Sequence, residues 1–115
     1  MRGKILGGLL VGMVSVLLSL NTSMAAEDHK AEAMKHALAA MESGKQGNAA
    51  AAGEHAAVAK THAVAAEQEK ANPHLEAAIK SLDTAIEQSK MGHADLAGEA
   101  AFGAVTHLKA AEKSF

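Results

Sequence analysis

Seven histidines and no cysteine determine which chemistry this 115-residue sequence can perform. Four of the histidines form two pairs with a spacing of seven residues, His29 with His36 and His55 with His62. That spacing places both members of a pair on one face of an α-helix. Imidazole and carboxylate ligands without thiolate suit Cu(II), Ni(II) or Zn(II). The pattern predicts a metal-binding protein and not an enzyme, since no combination of residues suggests nucleophilic or acid–base catalysis.

The two histidine pairs are arranged symmetrically about a predicted turn at residues 44–47. His36 lies eight residues before this turn and His55 eight residues after it, and the outer two histidines lie fifteen residues away on either side. In a helical hairpin the two pairs could therefore face each other as a ladder of imidazoles. Asp28, Glu32 and His36 are each four residues apart. This spacing places the two carboxylates on the face of the first helix next to the histidine pair.

An internal repeat doubles this hairpin. Shifting the sequence by 45 residues aligns Glu32–Ala66 with Ala77–Ala111 without a gap, and 16 of the 35 positions are identical. A repeat of this length is typical of a unit that cannot bury its apolar face alone. Two such hairpins predict an all-α fold, an antiparallel up-down-up-down four-helix bundle.

The repeat also suggests an alternative metal site. His74 and His107 are the repeat equivalents of His29 and His62, and all four lie at one level of the predicted bundle, opposite the two hairpin turns. The spacing leaves open whether the four side chains point at one another. His93 is the seventh histidine and lies alone at the second hairpin turn.

Helix-start residues and apolar spacing predict where the four helices lie. Gly44 is expected to end the first helix, and Gly98 and Gly103 are expected to mark close contacts of the fourth. The apolar faces are assigned to Met34, Leu38 and Met41; to alanines with Val58; to Leu75, Ile79, Leu82 and Ile86; and to Leu96, Phe102, Val105 and Leu108. The predicted helices are about Glu27–Ser43, Ala49–Glu69, Pro73–Lys90 and His93–Lys113, with turns near 44–48, 70–72 and 91–93.

The N-terminal residues have the pattern of a cleavable signal peptide. Arg2 and Lys4 precede an apolar run over residues 5–20, which a polar segment follows up to Ala25. We expect a signal peptide over 1–25, a bundle domain over 26–115, a periplasmic location and no membrane segment in the mature chain. Its nine basic and thirteen acidic residues, a formal charge of −4, argue against nucleic acid as a partner.

Several segments of the mature chain resemble the small metal-binding protein family. They are Lys35-His36-Ala37, Gly44-Lys45-Gln46-Gly47, Glu54-His55-Ala56, Thr61-His62-Ala63, Asn72-Pro73-His74, Gly92-His93 and Thr106-His107-Leu108. The resemblance implies an exported four-helix bundle whose repeated histidines bind divalent metals, copper foremost. The sequence departs from the family pattern where Ser43, Asn48, Ser81, Ser89 and Ala100 replace histidines.

Two functions follow as hypotheses. The first is a protein that buffers or sequesters Cu(II), with Ni(II) or Zn(II) as alternatives. The second is a metal-free structural or interaction protein whose alanine-rich faces pair with a second copy or another protein. The number of histidines favours the first hypothesis, and their loss from the second hairpin favours the second.

Overall fold

The structure, a computed structural model, describes residues 28–114, so the predicted signal peptide lies outside it. The described residues form four α-helices and no strand, which confirms the all-helical prediction for this part of the chain. Within it, no helix has the length and apolar character needed to cross a membrane. The helices are α1 (His29–Lys45), α2 (Ala49–Glu69), α3 (Pro73–Lys90) and α4 (Ala94–Lys113).

Side-chain caps explain where three of the helices begin. An N-cap oxygen accepts a hydrogen bond from a backbone N–H that has no partner inside the helix. Asn48 and Asn72 perform this role for α2 and α3, as predicted, and Pro73 occupies the first turn of α3. Asp28 caps α1, which therefore begins at His29 and not at the predicted Glu27.

The prediction that Gly44 ends α1 is wrong. The helix continues to Lys45, and the residue with positive φ is Gly47, at 81°. Gly92 has the same φ in the second hairpin turn, as the repeat requires. Gly44 is instead a buried helical residue whose missing side chain allows α4 to approach.

Each helix packs against the next one, and α1 also packs against α4, which closes the arrangement. The loops 46–48, 70–72 and 91–93 are short, so consecutive helices run in opposite directions. This pattern of contacts is that of an antiparallel four-helix bundle. The histidine-bearing helices α1 and α2 are therefore direct neighbours.

The core consists mainly of alanine, and its largest fully buried side chains are Leu75, Leu82 and Leu108. Ile79 and Ile86 pack at its edge, as do Met34 and Met41. Alanines bring the helices so close together that larger side chains on adjacent stripes remain at the surface. Four apolar residues assigned to buried faces are for this reason 40–58% exposed: Leu38, Val58, Leu96 and Phe102.

Candidate metal centre

Four histidine rings follow one another between α1 and α2. His29 and His62 approach to 3.0 Å between their Nδ1 atoms, and their ring centroids are 5.3 Å apart. The ring of His36 stacks against that of His62 and against that of His55, with centroids 6.0 Å apart in both pairs. We call this row, His29–His62–His36–His55, the imidazole ladder.

The ladder follows from the sequence spacing. Residues seven apart occupy nearly the same angular position on a helix. Because α1 and α2 run in opposite directions, the pair on one helix alternates in height with the pair on the other. All four rings are partly buried, so they lie at the edge of the α1–α2 contact and not in the alanine core.

Glu32 and two histidines of the ladder form a group that could hold a metal ion. Glu32, His36 and His62 each offer a ligand atom, and these atoms all lie within 4.8 Å of one another. The Glu32 Oε1 atom lies 3.9 Å from His36 Nε2. Ligands bound to one ion at about 2.0–2.1 Å are separated by roughly 3–4 Å, so small side-chain rotations would complete the site. We call this group the Glu32–His36–His62 cluster.

A second carboxylate lies at the His29 end of the ladder. Glu69 Oε2 is 3.7 Å from His29 Nε2. The sequence prediction missed Glu69, although it lies seven residues after His62 and so continues the same stripe of α2. Both ends of the His29–His62–His36 row therefore have a carboxylate beside an imidazole.

The environment of His36 favours its neutral, metal-binding form. Burial lowers the pKa of His36 because a charged imidazole would lose hydration. The neighbouring His55 and His62 lower this pKa further, and the carboxylate of Glu32 opposes them. A neutral imidazole is the form that coordinates a metal ion.

Apart from Glu32, the predicted ligands outside the ladder are not part of the Glu32–His36–His62 cluster. Asp28 uses its side chain to cap α1, accepting a hydrogen bond from Ala31 at 3.1 Å. His74 and His93 are exposed, and His93 lies 2.9 Å from Gln88 through its Nδ1 atom. His107 is partly buried on α4.

The structure does not gather the four histidines of the alternative site. Among residues 28–114, the Glu32–His36–His62 cluster is the one group of three or more potential ligands at metal-binding spacing. Its repeat equivalents in the second hairpin are Ala77, Ser81 and His107, which retain a single ligand. The assignment of individual ligands stays a prediction.

The fold and the cluster together define a class: a small, cysteine-free helical bundle with a group of histidine and carboxylate side chains between two neighbouring helices. The chain belongs to the small metal-binding protein family, which it matches over residues 4–111. This match confirms the resemblance stated from the sequence. No curated protein matches the chain.

Proposed function

We propose that this protein is exported and buffers or sequesters a divalent transition metal ion, with Cu(II) as the preferred ion and Ni(II) or Zn(II) as alternatives. The observation that supports the proposal most directly is the spacing of Glu32, His36 and His62, within 4.8 Å of one another. In this function the metal ion is the protein's cargo. The two helices that hold it contribute at least one ligand each.

The ligand types support Cu(II) as the first choice. Nitrogen and oxygen ligands bind Cu(II) more tightly than the other divalent ions of the first transition series. The sequence contains no Glu-x-x-His motif, which a di-iron bundle would use twice. Storage or sequestration requires binding alone, which agrees with the absence of any recognisable catalytic combination in the sequence.

Isothermal titration of the exported protein tests this function. Titrations with Cu(II), Ni(II) and Zn(II) at about pH 7.5, where free imidazole is mostly neutral, should give heat with Cu(II) binding tightest. His36→Ala combined with His62→Ala should abolish the tight site. The matched variant His74→Ala with His107→Ala removes two histidines from the second hairpin and should leave it unchanged.

Mass spectrometry of the same preparation tests export. Cleavage of the signal peptide should place Ala26 at the N-terminus, as the sequence pattern predicts. A mature chain that still contains residues 5–20 would contradict cleavage, although not metal binding.

A metal-free interaction protein is the second candidate function. It is supported by the second hairpin, where Ala77 and Ser81 replace the equivalents of Glu32 and His36. A titration without heat for all three ions would favour this function over metal binding.

A further inference from the structure

A groove of about 520 Å³ lies between α1 and α4, on a different face of α1 from the imidazole ladder. Its base is the close contact of Gly44 with Gly98, and its apolar walls are Met41 and Phe102. Phe102 is 58% exposed, and Leu38, one turn before Met41, is 41% exposed. We call this groove, with the adjacent Leu38 and the charged residues at its rim, the α1–α4 groove. The residues that line it are Met41, Gly44, Lys45, Asp95, Gly98, Glu99 and Phe102.

The rim of the α1–α4 groove carries opposite charges on its two sides. Lys45 lies on the α1 side, and Asp95 and Glu99 lie on the α4 side. Over residues 28–114, none of these three exposed side chains forms an ion pair with another group of the chain. Their charges are therefore available to a partner.

The internal repeat supplies a comparison for this groove. A shift of 45 residues relates the α1–α4 contact to the α3–α2 contact, where Lys60 Nζ and Asp83 Oδ1 form a salt bridge of 2.6 Å. The equivalents of Lys60 and Asp83 on the α1–α4 side are Val105 and Leu38. The α2–α3 side of the bundle thus carries an ion pair, whereas at the equivalent place on the α1–α4 side Val105 is buried and Leu38 is left 41% exposed.

Adjacent exposed apolar side chains with a polar rim are typical of a surface that another molecule covers. We propose that the α1–α4 groove is the interface of a symmetric homodimer. The proposal does not depend on metal binding, since the cluster lies between α1 and α2. A two-fold dimer uses the same surface on both copies, which must therefore be complementary to itself.

The charge distribution meets that requirement. Because α1 and α4 are antiparallel and touch at Gly44 and Gly98, Lys45 and Asp95 lie at the same end of the groove on opposite sides. A two-fold axis parallel to the helices places α1 of each copy over α4 of the other. Lys45 of each copy then faces Asp95 and Glu99 of the other, because the two-fold axis repeats every contact.

The same rotation pairs the apolar groups of the interface. Leu38 and Phe102 lie at one level on opposite sides of the groove, so Leu38 of each copy faces Phe102 of the other. Apolar side chains that become buried near the centre of an interface usually carry most of its binding energy. Complementary charges at the rim add specificity for this orientation.

Native mass spectrometry and light scattering of the exported protein test the dimer over a range of concentrations. The wild-type protein should show the mass of two chains. Leu38→Ser combined with Phe102→Ser should raise the dissociation constant at least about tenfold, since a few centrally buried side chains carry most of an interface's binding energy. Val58→Ser is the matched control, because Val58 is 40% exposed but lies on α2, and it should leave the dissociation constant unchanged.

Charge reversal provides a test that a general loss of stability cannot imitate. Lys45→Glu and Glu99→Lys should each weaken the homodimer, because both create like charges across the interface. A mixture of the two variants should recover a heterodimer with close to wild-type affinity, since each altered charge then faces its opposite.

Three results would overturn the proposal. One is a monomeric mass at about 1 mM protein, where even weak association would be detected. Another is a mixture of the charge variants that forms no heterodimer although both remain helical by circular dichroism. The third is a dimer found only in chains that keep residues 5–20, since this apolar segment and not the α1–α4 groove would then be required for association.

Discussion

Gly44 on α1 and Gly98 on α4 touch through their backbones. A Cβ atom added to Gly44 would lie 2.5 Å from the Cα of Gly98 and 2.7 Å from the carbonyl oxygen of Ala94. Backbone atoms cannot rotate away as a side chain does. This pair therefore sets the distance between α1 and α4 and forms the base of the α1–α4 groove.

Gly44→Ala should destabilise the protein by roughly 1–3 kcal/mol, the usual cost of overpacking a close contact. Alanine would by itself favour the helix by about 1 kcal/mol, so the clash must exceed that gain. Gly103→Ala is the control, because its Cβ would meet the Ser81 Oγ atom at 3.4 Å, an ordinary contact. Urea unfolding should find this variant as stable as the wild type or more so. Equal effects of the two substitutions would contradict the conclusion that the Gly44–Gly98 contact has no room for a Cβ atom.

Asn72 connects the loop between α2 and α3 to the end of α4. Its Oδ1 atom accepts from the backbone N–H of His74 at 2.8 Å, and its Nδ2 atom donates to Ser114 Oγ at 3.0 Å. Its own backbone N–H donates to Glu67 Oε1 at 3.0 Å. The residue is 4% exposed, so water cannot easily replace a lost bond.

Asn72→Ala should therefore cost more than the loss of an ordinary cap. Asn48→Ala removes an exposed N-cap and should lower the free energy of unfolding by about 1 kcal/mol. Asn72→Ala also removes the hydrogen bond to Ser114 Oγ, whose net contribution of about 0.5–1.5 kcal/mol should bring the total to about 2 kcal/mol. Chemical denaturation monitored by circular dichroism measures the free energy of unfolding of both variants. Similar values for the two variants would show that the bond to Ser114 contributes little.

The sequence predicted the helices well because their ends depend on local chemistry. Asn48, Asn72 and Pro73 act through hydrogen bonds and backbone preferences within one turn, and these can be recognised without tertiary information. Gly44 could not be assigned correctly in the same way. Its role depends on Gly98, which lies 54 residues later and approaches only when the bundle closes.

The proximity of His36 and His62 could be anticipated from the sequence for a related reason. The seven-residue spacing placed His36 and His62 on facing stripes, and α1 and α2 are neighbours in any hairpin. Glu69 was not predicted, because its contact with His29 joins the end of α2 to the start of α1 and depends on how the two helices pack. The spacing could not rank the two candidate sites, since the direction of each side chain depends on helix rotation about its own axis.

Glu32 should contribute to metal binding through its charge. Glu32→Gln keeps the size of the side chain and removes the anionic ligand beside His36, so the dissociation constant for Cu(II) should rise at least about tenfold. Glu76→Gln is the matched control, because both carboxylates lie in the first turn of a helix and both affect the helix dipole. Calorimetric titration of the two variants with Cu(II) compares their dissociation constants directly. An unchanged constant for Glu32→Gln would remove this residue from the site.

Metal binding should raise the melting temperature because the ligands come from two helices that separate on unfolding. An ion at 100 times its dissociation constant contributes about 2.7 kcal/mol if it binds only the folded state. This is a large fraction of the stability expected from a small core made mostly of alanine. Thermal denaturation with and without Cu(II) should show the increase, and a chelator should reverse it. The variant His36→Ala with His62→Ala should lose the shift, whereas retention of the full shift would place the ion elsewhere.

The lowered pKa of His36 predicts how stability without metal depends on pH. In the unfolded chain this histidine titrates near its ordinary value of 6.5, and in the folded chain it titrates below that value. Between the two values the unfolded state binds more protons, so the free energy of unfolding falls as pH decreases through this window. Above about pH 6.5 both states are neutral at His36, and this residue adds no pH dependence.

His36→Gln should therefore flatten the pH dependence of stability below about pH 6.5, because glutamine is neutral at every pH in the range. Urea unfolding of the metal-free wild type and variant at a series of pH values measures the difference between the two slopes. The contribution of His36 to the slope is largest midway between its folded-state and unfolded-state pKa values, and it vanishes at pH well above or below that window. A variant that keeps the wild-type slope throughout would show that the other side chains determine the loss of stability in acid. With Cu(II) present, proton competition for the imidazole ligands should weaken binding over the same range, and the burial of His36 should delay that loss at this ligand relative to a free histidine.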